Sequence, residues 1–480
     1  MYGEEKSDLL IVAAKLANNP QGAESVERRS GAKGNAEQPH MRRTQSRESM
    51  SQRLSRVREA AKQRKKERFT ALFHLLTAEA LENAFLSLSR KAAAGVDGVR
   101  WKDYAENLKV NIADLHRRLH QGSYRAQPGR RHYIPKADGK QRPLGIASLE
   151  DKIVQYALVK ILNAVYENDF MGFSYGFRPG RSQHNALDAL ATGLVRTNVN
   201  WVLDADISQF FDKVSHEWLI RFIEHRIGDQ RVIRLIRKWL TAGTSEEGEW
   251  RASEEGTPQG AVISPLLANI YLHYVFDLWA HQWRRRHATG NVVMVRYADD
   301  IVIGFDKRID AQCFRIAMQR RLKEFGRFAA ENRASRGKGK PETFNFLGFT
   351  HISGKDRSGR FMLIRKTRRD RMTATLKAIK DGLRKRWHYS IPEQGKWLRR
   401  VVQGYLNYHS VPGNYPMMRK FRIYVTDLWR RALRRRSQQD DTTWTKANRL
   451  AAVWLPKVRV LHPWPVERFT ARHPRQEPGA

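Results

Sequence analysis

Residues 291–305 read NVVMVRYADDIVIGF. Two apolar, β-branched runs, 292–295 and 301–305, flank Tyr297-Ala298-Asp299-Asp300, and their length and composition predict two strands joined by a tight turn. Two adjacent carboxylates therefore sit at the tip of a hairpin. Aspartate is a common turn residue, so one reading is a solvated turn and nothing more. The other is a metal site, because hard divalent cations take oxygen ligands held close together. A second carboxylate source lies upstream. Residues 201–207, WVLDADI, predict a strand on which Asp204 and Asp206 share a face, and Phe210-Phe211-Asp212 follow in a turn. Only the fold can bring Asp206 to the hairpin.

The chain around these acids has 480 residues, 41% of them hydrophobic and 29% charged, with a net charge of +39. That is material for roughly two to four domains with a sizeable core. Small-molecule enzymes rarely carry such a charge excess, whereas a polyanionic partner uses it. The single cysteine, Cys313, excludes a disulfide framework and any Cys-pair zinc site. No run is long and apolar enough to span a bilayer. Glu4, Glu5 and Asp8 around a short apolar run do not make an export signal, so a cytoplasmic protein is expected.

Outward from the hairpin, residues 1–68 predict a flexible basic leader ending in RLSRVREAAKQRKKER (53–68), either a solvated helix face or an RNA-touching arm. Apolar periodicity predicts helices over 69–94, 101–119, 149–170 and 261–279. Within HYIPKADGKQRPL (132–144), Asp138-Gly139 is a strong hairpin signal. Lys136 and Arg142 flank that turn, either as two more surface cations or as a grip for a triphosphate. FSYGFRPGRS (173–182) joins Arg178 and Arg181 to three aromatics, a mixture suited to stacking and backbone contact with nucleic acid. The acidic stretch 246–255 predicts a loop, GTPQG (256–260) a turn, and FNFLGFT (344–350) a strand bent at Gly348. Beyond residue 363 helices dominate, over 368–387, 395–408 and 415–436. They carry Lys377, Lys380, Arg384 and Lys385, then Arg430, Arg431, Arg434, Arg435 and Arg436, an excess beyond what helix capping needs. Residues 444–475 look irregular, basic and aromatic. Two carboxylate sources in a chain this basic point to two-metal phosphoryl transfer on nucleic acid.

The motifs also resemble a known family. Tyr297-Ala298-Asp299-Asp300 resembles the YADD box of reverse transcriptases. KAAAGVDGV (91–99), YIPKADGKQRPLGI (133–146), FSYGFRPGRS, ADISQFFD (205–212), GTPQGAVISPLLANIYL (256–272) and FNFLGF (344–349) follow the order seen in bacterial group II intron-encoded proteins. The resemblance implies an α+β right-hand polymerase. Residues 69–200 would be fingers, 201–362 palm, 363–436 an α-helical thumb or maturase domain, and 437–480 a basic DNA-binding tail. It implies that Asp206, Asp299 and Asp300, with the Ile207 carbonyl, hold two Mg2+ ions, with Mn2+ as a substitute. Phe211 takes the position of the steric gate against a ribose 2′-OH. Pro258, Gln259 and Gly260 match the box under the incoming nucleotide, and Lys136 and Arg142 its phosphate contacts. Arg178, Arg181, Lys377, Lys380, Arg384 and Lys385 become candidate RNA contacts, and the five arginines at 430–436 candidate DNA contacts.

The implied function is RNA-directed DNA synthesis together with assisted splicing. Its implied partners are a group II intron RNA, target DNA and deoxynucleoside triphosphates, with no membrane and with a homodimer among the allowed assemblies. Gly404-Tyr405-Leu406-Asn407-Tyr408 matches the maturase box. One cysteine cannot build the Cys pairs of the HNH endonuclease that many relatives carry, so a form without it is expected. After Gly326 a strand-and-turn segment bearing a lysine is missing relative to the family pattern, which implies as an alternative a splicing cofactor with weak polymerase activity.

Overall fold

Residues 291–305 do form a hairpin, at the edge of a sheet that also holds residues 201–206. The computed structural model describes residues 40–472 except 136–140, 198, 208, 247, 254, 259, 326–342, 356–357, 360 and 437–441. Lys136, Gln259 and the stretch after Gly326 thus lie outside the described residues. The strands are β1 (Gly129–Pro135), β2 (Gln141–Ile146), β3 (Trp201–Asp206), β4 (Thr244–Glu246), β5 (Glu249–Arg251), β6 (Val292–Tyr297), β7 (Asp300–Phe305), β8 (Phe344–Phe346), β9 (Phe349–Lys355) and β10 (Phe361–Thr367). They make three small sheets, ordered β2-β1-β4-β5, β3-β7-β6 and β10-β9-β8, within a largely helical chain. The architecture is mixed α and β.

The central sheet is antiparallel, with β7 between its partners. Met294, Ile301 and Ile303 of this sheet enter the large core built on the Leu149–Tyr166 and Ser264–Leu272 helices. Val295 and Val302, on the other face, enter a second core with the Gln183–Arg196 helix, Phe346 and Phe349. Burial on both faces explains why these strands are apolar runs rather than alternating ones. Each such side chain withdrawn from water contributes about 1.5–3 kcal/mol.

The β1–β2 hairpin is present, with Ile134 opposite Arg142. Other expectations change. The acidic stretch holds a short hairpin, β4–β5, whose first strand runs parallel to β1. Residues 344–350 are not one bent strand. Leu347 and Gly348 have φ of 45° and 80°, so they form a two-residue turn between β8 and β9. The leader ends in a docked helix, His40–Gln63, which places Met50, Leu54, Val57 and Ala61 on the large core. Buried Arg226 anchors the end of that segment, donating to the Arg64 carbonyl at 2.9 Å and pairing with Asp169 at 2.8 Å.

The C-terminal helices Arg369–Arg384, Ile391–His409, Tyr415–Arg434 and Trp444–Trp454 share their own core around Leu398, Val402, Phe421 and Trp429. The expected irregular tail is instead two helices, Trp444–Trp454 and Pro465–Arg472. The last folds back onto the Gln183–Arg196 helix. Phe469 is buried there, Arg468 pairs with buried Asp188, and Arg196 donates to the Thr470 hydroxyl at 3.1 Å. Arg468 also donates to His462 Nδ1 at 2.9 Å, while His462 Nε2–H donates to the Asn407 carbonyl at 2.7 Å. This clasp ties the last helix to both the central sheet's helix and the C-terminal bundle.

Histidines make the junction sensitive to acid. Burial holds His184, His351 and His409 at about 3, below the ordinary 6.5. A histidine kept neutral in the fold takes up its proton only on unfolding. Its contribution is therefore complete above pH 6.5 and is lost as pH falls from there toward 3, at about 1.4 kcal/mol per histidine per pH unit. The thermal midpoint is expected to fall steadily between pH 7 and pH 5. His184→Phe, which keeps the ring without the proton site, should flatten the slope. A midpoint constant over that range contradicts the assignment.

Candidate active site

Asp206 closes β3, and its register partner is Asp300, the first residue of β7. Directly opposed residues point to one face, with Cα atoms about 4.5–5.5 Å apart. Tyr297 pairs with Asp300 from the other side, so Ala298 and Asp299 form the two-residue turn. Asp206 is 9% exposed, and Asp299 and Asp300 are half-buried. The fold therefore places Asp206 and Asp300 in register, with Asp299 in the adjoining turn. Asp204, two residues back on the same face, lies opposite Val302, deeper in the sheet.

Ala298 has a φ of 55°, a region that L-residues seldom adopt. Its surroundings impose the shape. The 173–178 loop lies against the back of the turn. Tyr175 N–H donates to the Arg296 carbonyl, and Arg296 N–H donates to the Phe173 carbonyl, both at 2.8 Å. A Cβ on Gly176 would come within 2.2 Å of the Ala298 nitrogen, so that position tolerates glycine alone. The Arg296 side chain, fully buried in mid-strand, donates to the Ala298 carbonyl at 3.0 Å and pairs with Asp277 at 2.6 Å. Sequence reasoning missed Arg296 and its partners. The available signal was an arginine inside the apolar run VVMVRY.

A second set of residues is assembled from the segments that follow β3 and β2. Phe210 N–H donates to the Ile207 carbonyl at 3.2 Å, turning the chain so that half-buried Phe211 follows. Thr257 N–H then donates to the Phe211 carbonyl at 2.7 Å, which ties the GTPQG segment to the Phe210–Asp212 turn. Ser264 donates to the Pro258 carbonyl at 2.8 Å. Gly260, with φ of 102°, sits where a Cβ would be 3.0 Å from the Gly145 carbonyl of β2. Phe211, Pro258, Gly260 and the strand bearing Arg142 thus adjoin one another.

The C-terminal bundle reaches the same region. Tyr408 donates its hydroxyl to the Leu347 carbonyl at 2.7 Å and stacks on Phe349. Its hydroxyl is pushed far above its ordinary value, chiefly by burial and then by Tyr297.

The basic candidates divide. Arg178 is 4% exposed, pairs with Glu167 at 3.1 Å and donates to the Met171 and Ser174 carbonyls at 2.8 Å. Its guanidinium is buried and organises its own loop, where an exposed cation was expected. Arg181 is half-buried over the Tyr175 ring. Lys377, Lys380 and Arg384 are exposed on one helix, and Lys385, which caps its C-terminus, is exposed as well. Arg430 and Arg431 share Asp427, Arg436 donates to the Tyr389 carbonyl, and Arg434 and Arg435 are exposed.

Among the described residues, no three or more His, Cys, Asp or Glu side chains converge as a self-sufficient metal-ligand set. Mg2+ is commonly held by one or two carboxylates and completed by water and substrate phosphates. Asp206 and Asp300 in register, with Asp299 beside them, suit that mode.

Comparison with known proteins agrees with this arrangement. Residues 134–351 match the family model "Reverse transcriptase (RNA-dependent DNA polymerase)". Over 206 residues the chain is 43% identical to Protein YkfC of Escherichia coli (strain K12), an alignment covering 42% of this chain and 54% of that protein. Over 223 residues it is 37% identical to the Group II intron-encoded protein LtrA of Lactococcus lactis subsp. cremoris, covering 46% and 37%. Nuclear intron maturase 2, mitochondrial, of Arabidopsis thaliana is 29% identical over 110 residues, covering 22% and 15%. The chain therefore spans about half or less of the length of these curated relatives. The matched segment contains the acids, the turn and the surrounding boxes, and defines a reverse transcriptase domain. Over that segment the chain is similar to reverse transcriptases, and group II intron-encoded proteins are among the relatives it resembles.

Proposed function

We propose that this chain is an RNA-directed DNA polymerase that also assists splicing of a group II intron RNA. The observation that carries the reading is the register of Asp206 with Asp300 beside the Asp299 turn, adjacent to Phe211 and the GTPQG segment. Residues 69–200, 201–362 and 363–436 act as fingers, palm and thumb. Asp206, Asp299 and Asp300 hold two Mg2+ ions, or Mn2+, together with the Ile207 carbonyl. When bound, such a pair activates the primer hydroxyl and steadies the leaving pyrophosphate. Arg142, with Lys136, orients the triphosphate, and Pro258, Gln259 and Gly260 floor the nucleotide pocket. Phe211 walls off the ribose 2′ position. Phe211→Val is expected to raise ribonucleotide incorporation relative to deoxynucleotide by about tenfold or more, because a steric wall is removed. Single-nucleotide incorporation assays check this, and an unchanged ratio places the gate elsewhere.

The exposed cations of the Arg369–Arg384 helix and its end bind intron RNA, and those near residue 434 contact target DNA, in the cytoplasm. Neutralising Lys377, Lys380, Arg384 and Lys385 together should weaken RNA binding and make its log–log salt slope shallower by up to about 3. Nucleotide addition on a preannealed primer should change little. Filter binding at several salt concentrations decides it, and an unchanged slope returns these cations to the solvated surface.

The sequence departure after Gly326 favours a second reading, in which the chain assists splicing with weak copying. Primer extension on an RNA template, run beside a splicing assay with one preparation, separates the two. Extension with splicing supports the first, splicing alone the second, and neither refutes both.

A further inference from the structure

The Arg296 guanidinium has five N–H donors, and the structure gives it five acceptors. Nε donates to Asp277 Oδ1 at 2.7 Å, one terminal nitrogen to Asn269 Oδ1 at 3.1 Å and the Ala298 carbonyl at 3.0 Å, and the other to Asp277 Oδ2 at 2.6 Å and the Ser174 hydroxyl at 2.7 Å. Arg296 and Asp277 are both 0% exposed. Asp277 ends a π-helical turn, His273–Asp277, between the Ser264–Leu272 and Leu278–Arg286 helices. The extra residue in such a turn shifts the side chains that follow it, and here that shift accompanies an aspartate aimed at Arg296. Asn269 is bifunctional: its Nδ2 donates to the Gly176 carbonyl at 2.7 Å, behind the Ala298 turn.

Stability alone does not account for this arrangement. A buried ion pair can often be replaced by apolar residues of similar size without loss, because desolvation offsets the attraction. What apolar residues cannot do is hold a carbonyl in direction. The Ala298 carbonyl belongs to the peptide that leads into Asp299, and Ala298 itself is in a rarely adopted conformation. Fixing that peptide fixes where the Asp299 and Asp300 carboxylates emerge relative to Asp206.

We infer that Arg296 is a positioning residue for the acidic turn: held by Asp277, Asn269 and Ser174, it clamps the Ala298 carbonyl and so sets the separation of the metal-binding carboxylates. This rests on the polymerase reading of the same site, and it assigns the clamp a role on the sheet face opposite the acids.

The test uses the full chain. Arg296→Met with Asp277→Leu removes both charges and leaves neither buried alone. Asn269→Ser, which cuts the links to Arg296 and Gly176 without touching the ion pair, serves where the double variant does not fold. Arg296→Lys keeps the charge but cannot reach five acceptors. Three readouts are taken: Mn2+ affinity by electron paramagnetic resonance, amide exchange at residues 297–300, and the Mg2+ dependence of primer extension. Asp299→Ala is the control. The expected result is a folded variant with faster exchange confined to the turn, and Mn2+ affinity weakened about 10–100-fold, as for other groups that orient metal ligands. The Mg2+ requirement should rise by a matching factor. Unchanged turn exchange and unchanged Mn2+ affinity in a folded variant overturn the inference. So does faster exchange spread evenly over the three strands, which marks a purely structural ion pair. If the wild-type chain binds Mn2+ at the turn but extends no primer, the polymerase reading fails while the clamp stands.

Discussion

Alanine at both Asp299 and Asp300 is expected to abolish primer extension while leaving binding to intron RNA intact. The two carboxylates emerge at the turn opposite Asp206, and with Asp206 they are the acids proposed to hold the metal pair. Metal stabilisation of a phosphoryl transfer is worth several kcal/mol, so its loss corresponds to a rate reduction of about 1000-fold or more. RNA affinity should not fall with it. Removing two negative charges from a chain of net charge +39 does not weaken attraction to a polyanion, and that attraction is spread over many cations. The measurement is extension of an annealed primer beside filter binding of the same RNA. Residual extension above about one hundredth of wild type would show that the acids are not the metal ligands, since a Lewis-acid contribution of several kcal/mol cannot survive their loss.

Asp188→Ala is expected to destabilise strongly the junction between the central sheet and the C-terminal bundle. Asp188 is 1% exposed and faces Arg468 from the last helix and Arg365 from β10, the latter at 3.6 Å. Burial holds Arg365 down at about 10, and Asp188 is the acid that opposes this. Without it, two guanidiniums share a buried site with no counter-charge, a loss of roughly 3–5 kcal/mol. Phe469→Ala removes the apolar half of the same clasp, at a comparable cost of about 3–5 kcal/mol. Denaturant unfolding gives the magnitude, and limited proteolysis should show early cleavage after residue 442 in both variants. A loss below about 1 kcal/mol for Asp188→Ala would mean that the last helix is dispensable to the junction, since surface ion pairs fall in that range.

Periodicity carried the central hairpin, the pairing of β1 with β2 and the C-terminal helices, because each depends on neighbours in sequence: alternating or continuous apolar runs and apolar residues at helical spacing, while Asp138-Gly139 lies outside the described residues. The acids were legible for a different reason. Asp206, Asp299 and Asp300 stand in distinctive local strings, and strand alternation put Asp206 on a definite face. Where expectation failed, long-range packing had overridden local composition. The polar stretch 244–251 pairs with β1, and the basic leader ends in a helix because four of its apolar residues find the large core. Arg178, in a loop suited to nucleic acid, turns inward to satisfy the loop's own carbonyls.

From the residues alone came the acids, the strong positive charge, the local elements and the family motifs. Each of these is written in charge, in short-range periodicity or in the identity of a few neighbours. Tertiary structure alone decided that Asp206 meets Asp300, that Asp277, Asn269 and Ser174 converge on Arg296, and that the last helix closes on Asp188. Those contacts join segments far apart in the chain. Their partners are selected by burial, since a charge or a polar group withdrawn from water must find its counterpart wherever the packed core supplies one.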